Sequence, residues 1–242
     1  MIHNYYYDNY DKFLKMISLL CPTRGRPNLA LNLYKSFTKT QKFENELMFC
    51  LQRDDIKLQE YLDIFLTNNI TRYFITDSLQ TSYLWNIMAL QSKRDFFTLI
   101  GDDVEILTKN WDEVIINASK KFEDNIFVIT VDDGRKEKRN QKTMRCPHPT
   151  VHKKWLKTLG YFVPPFFAHR YIDKYTAELA ISLNRYIEIP EIIFNHLKLE
   201  INEDETFVRS RKWLGYDQYV YENISKRYFE ADLEVLRRNI KF

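Results

Sequence analysis

Asp95-Phe96-Phe97-Thr98-Leu99-Ile100-Gly101-Asp102-Asp103-Val104 is an apolar run closed by a glycine and two adjacent carboxylates. The run from Asp95 to Ile100 reads as a β-strand, and the acids fall where it ends. Paired anionic oxygens at a strand end, beside a glycine that permits close approach, suit a hard divalent cation carrying a diphosphate. Magnesium and manganese prefer oxygen ligands and share their shell with phosphate. A turn with solvated acids would read the same in isolation, so the surrounding chain has to decide between the two.

Upstream, Phe13 to Cys21 is an apolar run stopped by Pro22, and Pro27 stands where a first helical turn would begin, ahead of Leu29, Leu33 and Phe37 at helical spacing. Glu46 to Gln52 is a second strand, followed by a helix with Leu58, Leu62, Phe65 and Leu66 along one side. Thr71 to Thr76 is a third strand, and Asp77 or Ser78 can cap a helix through Gln91. With the run at Asp95 the order is β-α-β-α-β-α-β. Strands separated by helices predict an α/β fold with a mostly parallel central sheet flanked by helices, whose ligands bind at the carboxyl ends of strands. Downstream, Trp111 to Lys121 reads as a helix, Asn125 to Val131 as a strand, and Asp132 to Arg145 as a polar, basic loop. Val151 to Leu159 and Tyr171 to Leu183 read as helices, Ile187 to His196 as an apolar run, and Asp217 to Phe242 as an amphipathic helix suited to domain packing or a homo-oligomer surface.

Composition excludes several classes. The chain has 242 residues, 45% of them hydrophobic, enough for one large domain or two fused halves. It has five glycines, where average usage of about 7% would give roughly 17. Phosphate-binding loops of the P-loop and dinucleotide types need two or three closely spaced glycines, and no such spacing occurs. The net charge of +3 neither demands nor forbids an anionic partner. Cys21, Cys50 and Cys146 form neither a disulfide framework nor a zinc knuckle, which fits a reducing compartment. Met1 to Asp11 lacks the basic and apolar regions of a secretory signal, and no run of about 18 apolar residues suggests a membrane span. A cytoplasmic location is the expectation.

The ordered set of motifs from Lys15 to His196 resembles the GT-A fold glycosyltransferases, particularly the family-2-like group. Small soluble members of this appearance occur in phages and large viruses, and the Lys-, Asn-, Ile- and Tyr-rich, alanine-poor composition is of the kind associated with AT-rich genomes. Pro22-Thr23-Arg24-Gly25-Arg26-Pro27 looks like the first nucleotide-binding loop of that family, Asp54 and Asp55 like the acid that contacts the nucleobase, and Asn86 like the asparagine before the metal-binding strand. Gly101-Asp102-Asp103 looks like its DXD-type element, reading D-D-V instead of D-x-D. The resemblance implies that Asp102 faces the ribose and Asp103 the metal, with their assignment interchangeable, and that His196 completes the shell of manganese (Mn2+) or magnesium (Mg2+). It implies that Asp173, at a helix start, is the general base of an inverting transfer, although an acid there also serves as a helix cap.

Arg209 and Arg211, with Lys212, suit a lid over the diphosphate or an ordinary solvated face. Trp111 suits stacking on an acceptor or core packing, and His148 is a further acceptor-side candidate. The implied organisation is a catalytic domain over residues 1–200, with a nucleotide-sugar half at 13–103 and an acceptor half at 104–200, then a C-terminal lid loop and helix at 201–242. The implied donor is a nucleoside-diphosphate sugar, a UDP-sugar first among them. The implied acceptor is a saccharide, or DNA carrying a hydroxymethylated base held through the basic loop Arg135 to Arg145. A nucleotidyltransferase and a non-catalytic nucleotide-sugar-binding module on the same frame are the alternatives. Release of free nucleoside diphosphate, as opposed to pyrophosphate or nothing, separates the three.

Overall fold

Alternation of side chains along the first two strands sorts them to opposite faces of one sheet. In the computed structural model, which describes residues 16–77, 80–135, 146–197 and 205–241, β1 (Ile17–Pro22) sends Ile17, Leu19 and Cys21 into one core and Leu20 into another. β2 (Glu46–Gln52) divides Leu47, Phe49 and Leu51 from Met48 and Cys50 in the same way. A strand buried on both sides needs a layer of helices over each face. The first face is covered by α1 (Pro27–Thr40), α2 (Leu58–Thr67) and α4 (Trp111–Ser119). The second is covered by α3 (Thr81–Gln91), α5 (Lys153–Leu159), α6 (Ile172–Ser182) and the C-terminal helices.

The remaining strands are β3 (Tyr73–Thr76), β4 (Phe96–Leu99), β5 (Val104–Ile106), β6 (Val128–Asp132), β7 (Thr150–His152) and β8 (Tyr186–His196), and the sheet order is β3-β2-β1-β4-β7-β6-β8-β5. The block β3-β2-β1-β4 is parallel, as the β-α-β spacing predicts. Beyond it the sheet is mixed, because β7 runs antiparallel to both β4 and β6, and β5 antiparallel to β8. β7 occupies the start of the segment that reads as a helix from Val151, so that helix begins only at Lys153. The turn after β4 takes the chain out of the parallel block and into β5, where Val104 stands opposite His196. Asp102 and Asp103 lie in that turn.

The C-terminal segment is a succession of α7 (Glu205–Lys212), α8 (Leu214–Tyr219), a π-helical turn (Val220–Ile224) and α9 (Ser225–Arg237). The wider π turn rotates the buried stripe, so Val220, Leu233 and Leu236 enter the core, whereas Ile224, Tyr228 and Val235 stay substantially exposed. No helix among the described residues is long and apolar enough to cross a membrane.

One histidine of this framework makes stability depend on pH. His152 caps α5, its Nδ1 accepting from Lys154 N–H at 3.1 Å, and its ring meets Phe96 edge-on. Burial holds its pKa at about 4 against an ordinary 6.5. The folded state therefore keeps the ring neutral while the unfolded chain takes up a proton, so stability present above pH 6.5 is lost as pH falls towards 4. His152→Asn, which retains a capping acceptor and does not titrate, is expected to reduce the difference in urea midpoint between pH 7.5 and 5 by an amount on the order of 1 kcal/mol. An unchanged pH dependence would contradict this.

Candidate active site

The carboxyl ends of β1, β2 and β4 meet in one place, drawn together by backbone bonds from Thr23 N–H to Cys50 O and from Ile100 N–H to Leu20 O. Pro22 ends β1 there, and the loop after it is fastened by a chain of hydrogen bonds. Arg26 N–H donates to Tyr61 Oη at 2.8 Å, Tyr61 Oη meets Thr23 Oγ1 at 2.7 Å, and Thr23 Oγ1 donates to Asp102 Oδ2 at 2.6 Å. With Thr23 committed as donor to the carboxylate, the tyrosine hydroxyl donates to Thr23, and every member of the chain has one direction. The guanidinium of Arg26 completes the group, 3.2 Å from Asp102 Oδ1 and 3.7 Å from Asp103 Oδ2. Asp102 is buried, and desolvation pushes its pKa up to about 6 against the opposing pull of Arg26, with Asp103 adding to the rise.

Asp103 faces a different partner. Its Oδ2 lies 3.6 Å from His196 Nε2, and its carbonyl accepts Leu197 N–H, so the β5–β8 pairing itself holds the two side chains together. A Cβ at position 101 would stand 2.8 Å from Asp103 Oδ1, so Gly101 makes room for that carboxylate. Ligands about 2.1 Å from a magnesium-sized ion are separated by roughly 3.0 to 4.2 Å for cis and trans positions of an octahedron. The 3.6 Å between Asp103 and His196 lies between those two values, within a small side-chain shift of either, and because no group of three or more His, Cys, Asp or Glu that could hold a metal occurs among the described residues, phosphate oxygens and water would have to fill the remaining positions. The residues present fit the divalent cation implied by the resemblance.

A second group lies over β2. Arg24 Nη1 reaches Gln52 Oε1 at 3.0 Å and Asp54 Oδ1 at 2.6 Å, and Arg209 Nη1 approaches Asp54 Oδ2 at 3.7 Å. Thr206 Oγ1 donates to Arg24 O, so α7 crosses the mouth of the first loop, and Arg211 follows in its last turn. The Asp54 carboxyl is held below its usual range by Arg24 and then Arg209, which outweigh its slight burial. Its side chain remains half exposed.

Four expected site residues have other work. Asp55 is buried, with Oδ2 accepting Gly25 N–H and Oδ1 accepting Lys57 N–H, so it ties two loops together. Asn86 spends its whole carboxamide on backbone, accepting from Phe162 and Val163 N–H and donating to Ser82 and Val163 carbonyls. Trp111 is fully buried against Phe37 and Phe194, which rules out stacking on an acceptor. His148 is buried in a left-handed conformation (φ 53°) beside Phe194, and burial, then His196, lowers its pKa to about 4. Closed off in this way, it presents no surface to an acceptor.

Asp173 is exposed in the first turn of α6, after Tyr171 in the left-handed region (φ 65°). It lies close enough to Cys146 for its charge to raise that thiol's pKa further, after burial. The basic loop is described only at Arg135; residues 136–145 lie outside the described residues.

Sequence reading missed Tyr61, which sits at the helical spacing of Leu58, Leu62 and Phe65 and reads as core, and Gln52, which reads as the end of a strand. It also missed Asp217, whose partners, the backbone N–H groups of Ala168, His169 and Arg170, are remote in sequence.

No known family profile matches the chain, and no curated protein does. Solved structures do. S. aureus TarS matches over 74% of this chain at 13% identity with a TM-score of 0.56, and this chain spans 36% of that longer one. S. aureus TarS 1-349 in complex with UDP-GlcNAc matches over 92% of this chain and 72% of its own at 14% identity, with a TM-score of 0.54. The complex of TarS 1-349 with UDP matches over 94% and 72% at 13% identity, with a TM-score of 0.56. With a parallel block that ends in paired acids and a mixed extension that returns a histidine to them, the chain has the GT-A-type fold.

Proposed function

We propose that this protein is a metal-dependent, inverting glycosyltransferase that moves a sugar from a nucleoside-diphosphate sugar to a hydroxyl acceptor. The observation that carries the reading is the convergence of Asp103 and His196, 3.6 Å apart, at the end of the parallel strands that bear Thr23, Arg26 and Asp54. Residues 13–103 then form the nucleotide-sugar half, 104–200 the acceptor half, and 201–242 a C-terminal element that crosses the donor mouth. The TarS complexes contain UDP and UDP-GlcNAc, which makes a UDP-sugar the first donor to test.

Asp103 and His196 would hold manganese or magnesium, and such an ion would supply positive charge to the departing diphosphate. Arg26 adds a fixed cation on the same side, and Asp102, anchored by Thr23, offers its remaining acceptor capacity to the ribose. Asp54 exchanges its arginine partners for the imide N–H of the base. Asp173 accepts the acceptor's hydroxyl proton while that oxygen attacks C1 from the face opposite the diphosphate; the C1–oxygen bond to the nucleotide breaks, and free nucleoside diphosphate departs.

The acceptor is a saccharide hydroxyl or the hydroxymethyl group of a modified DNA base, and salt-sensitive binding of duplex DNA separates them. The small phage-type subgroup rests on composition alone. The experiment is a thermal-shift series with UDP and UDP-sugars, with and without manganese. A donor at about 100 times its Kd is expected to add about 2.7 kcal/mol, or roughly 5 to 10 °C for a chain of this size, with the gain depending on the metal. A flat response to every nucleotide would overturn the proposal, and release of pyrophosphate would point instead to a nucleotidyltransferase.

A further inference from the structure

The first loop turns its backbone inward. Thr23 N–H donates to Cys50 O at 3.1 Å, Gly25 N–H to Asp55 Oδ2 at 2.8 Å and Arg26 N–H to Tyr61 Oη at 2.8 Å. A phosphate cradle built from backbone amides needs those groups aimed at the ligand. Here three of them are spent on the protein, in a chain with five glycines, so the loop meets an anionic ligand through its side chains. The guanidinium of Arg26 is the one that stands at the paired acids, 3.2 Å from Asp102 and 3.7 Å from Asp103.

A single hydroxyl fixes that arrangement. Tyr61 lies on α2 with no exposed surface; its ring meets Phe65 edge-on at 5.9 Å, and Phe65 packs on Phe49 of β2 at 5.0 Å. The position of Oη is therefore set by the close-packed core between α2 and the sheet, and not by the loop it touches. From there it accepts Arg26 N–H and donates to Thr23 Oγ1 at 2.7 Å, which in turn donates to Asp102 Oδ2 at 2.6 Å. One buried atom thus ties the backbone that carries the cation to the carboxylate that faces it.

On the donor reading given above, we propose that Tyr61 is a positioning residue of the donor site: its hydroxyl registers Arg26 against Asp102, so that the two meet the diphosphate and the ribose of one nucleotide together. Tyr61 touches no substrate atom in this role. Tyr61→Phe keeps the ring in the core and removes the registration, leaving Arg26 N–H without its acceptor and Thr23 without its donor.

Calorimetric titration with UDP in the presence of manganese tests this. Tyr61→Phe is expected to weaken UDP about five- to tenfold, the size of one or two lost hydrogen bonds. Tyr175→Phe is the control, because it also removes the hydroxyl of a buried tyrosine, one that donates to Asp232 at 2.7 Å in the other core. It is expected to hold UDP affinity within about twofold, as a site remote from the first loop should. Thr23→Val breaks the relay one link nearer Asp102 with the tyrosine in place, so it tests the same registration even where Tyr61→Phe does not fold, and it is expected to weaken UDP to a similar extent. Because the two residues share a bond, the double variant is expected to lose less than the product of the single losses. Unchanged UDP affinity in Tyr61→Phe or in Thr23→Val overturns the positioning role and leaves the donor reading intact. Equal losses in Tyr61→Phe and Tyr175→Phe overturn it too, since destabilisation alone then accounts for both. A double variant whose loss equals the product overturns the relay through Thr23. Wild-type protein that does not bind UDP overturns the donor reading, and the role of Tyr61 falls with it.

Discussion

Asp103→Ala is expected to lower kcat/KM for sugar transfer by about three orders of magnitude or more, equivalent to about 4 kcal/mol of transition-state stabilisation, and to abolish the effect of manganese on UDP affinity. The magnitude follows from what the carboxylate faces. Both oxygens of Asp102 are engaged, one by Thr23 and one by Arg26, whereas Asp103 is turned towards His196, 3.6 Å away. On the proposed reading, losing one of two protein ligands would release the ion and leave the developing charge of the diphosphate to Arg26. Asp102→Asn is expected to act differently, weakening nucleotide binding while manganese dependence persists, because its position concerns the loop and the ribose. Measuring UDP affinity with and without manganese in both variants distinguishes the two acids, which adjacency in sequence leaves interchangeable. Asp103→Ala with undiminished turnover would remove the central assignment.

The parallel block was legible because its strands are long or are fenced by strong punctuation. β2 has five consecutive apolar residues between Glu46 and Gln52, and its bounds match the expected ones. β1 ends at a proline, and a second proline opens α1. β5 and β7 have three residues each, too few to establish an alternation, and they exist because neighbouring strands offer unpaired edges. With them went the mixed half of the sheet. Candidate residues divide on the same principle. Asp103 and His196 were legible as a pair through the resemblance, and the β5–β8 register supplies the physical cause. Asp55, Asn86 and Trp111 were placed in the site by local chemistry, but long-range packing claims them: Asp55 is consumed by Gly25 and Lys57, Asn86 by the backbone at 162–163, and Trp111 by two phenylalanines. Asp217 was invisible for the converse reason. Nothing near it in sequence announces that three amides from another helix's approach will converge on it.

Asp173→Asn is expected to reduce the kcat of transfer by about two to four orders of magnitude, the usual contribution of a general base, while the affinity for UDP with manganese stays within about twofold of wild type. Two roles compete for this carboxylate, and they predict different sizes of effect. As an acid in the first turn of α6 it interacts favourably with the helix dipole, an interaction worth about 0.3 to 1 kcal/mol, so its neutral isostere shifts the melting temperature by a few degrees at most. That loss does not touch the chemistry. As the base, it is the exposed carboxylate at the start of a helix whose preceding loop is pinned by Asp217. The amide of asparagine preserves its shape and hydrogen-bonding reach but cannot take the acceptor's proton. A variant that melts almost normally, binds UDP normally and fails to transfer sugar identifies the base. Glu178, more than one turn further along α6, has its carboxylate taken up by the Tyr221 hydroxyl and by Lys174. Normal turnover in Asp173→Asn would return the residue to the helix terminus and require the proton acceptor to be sought elsewhere in the acceptor half.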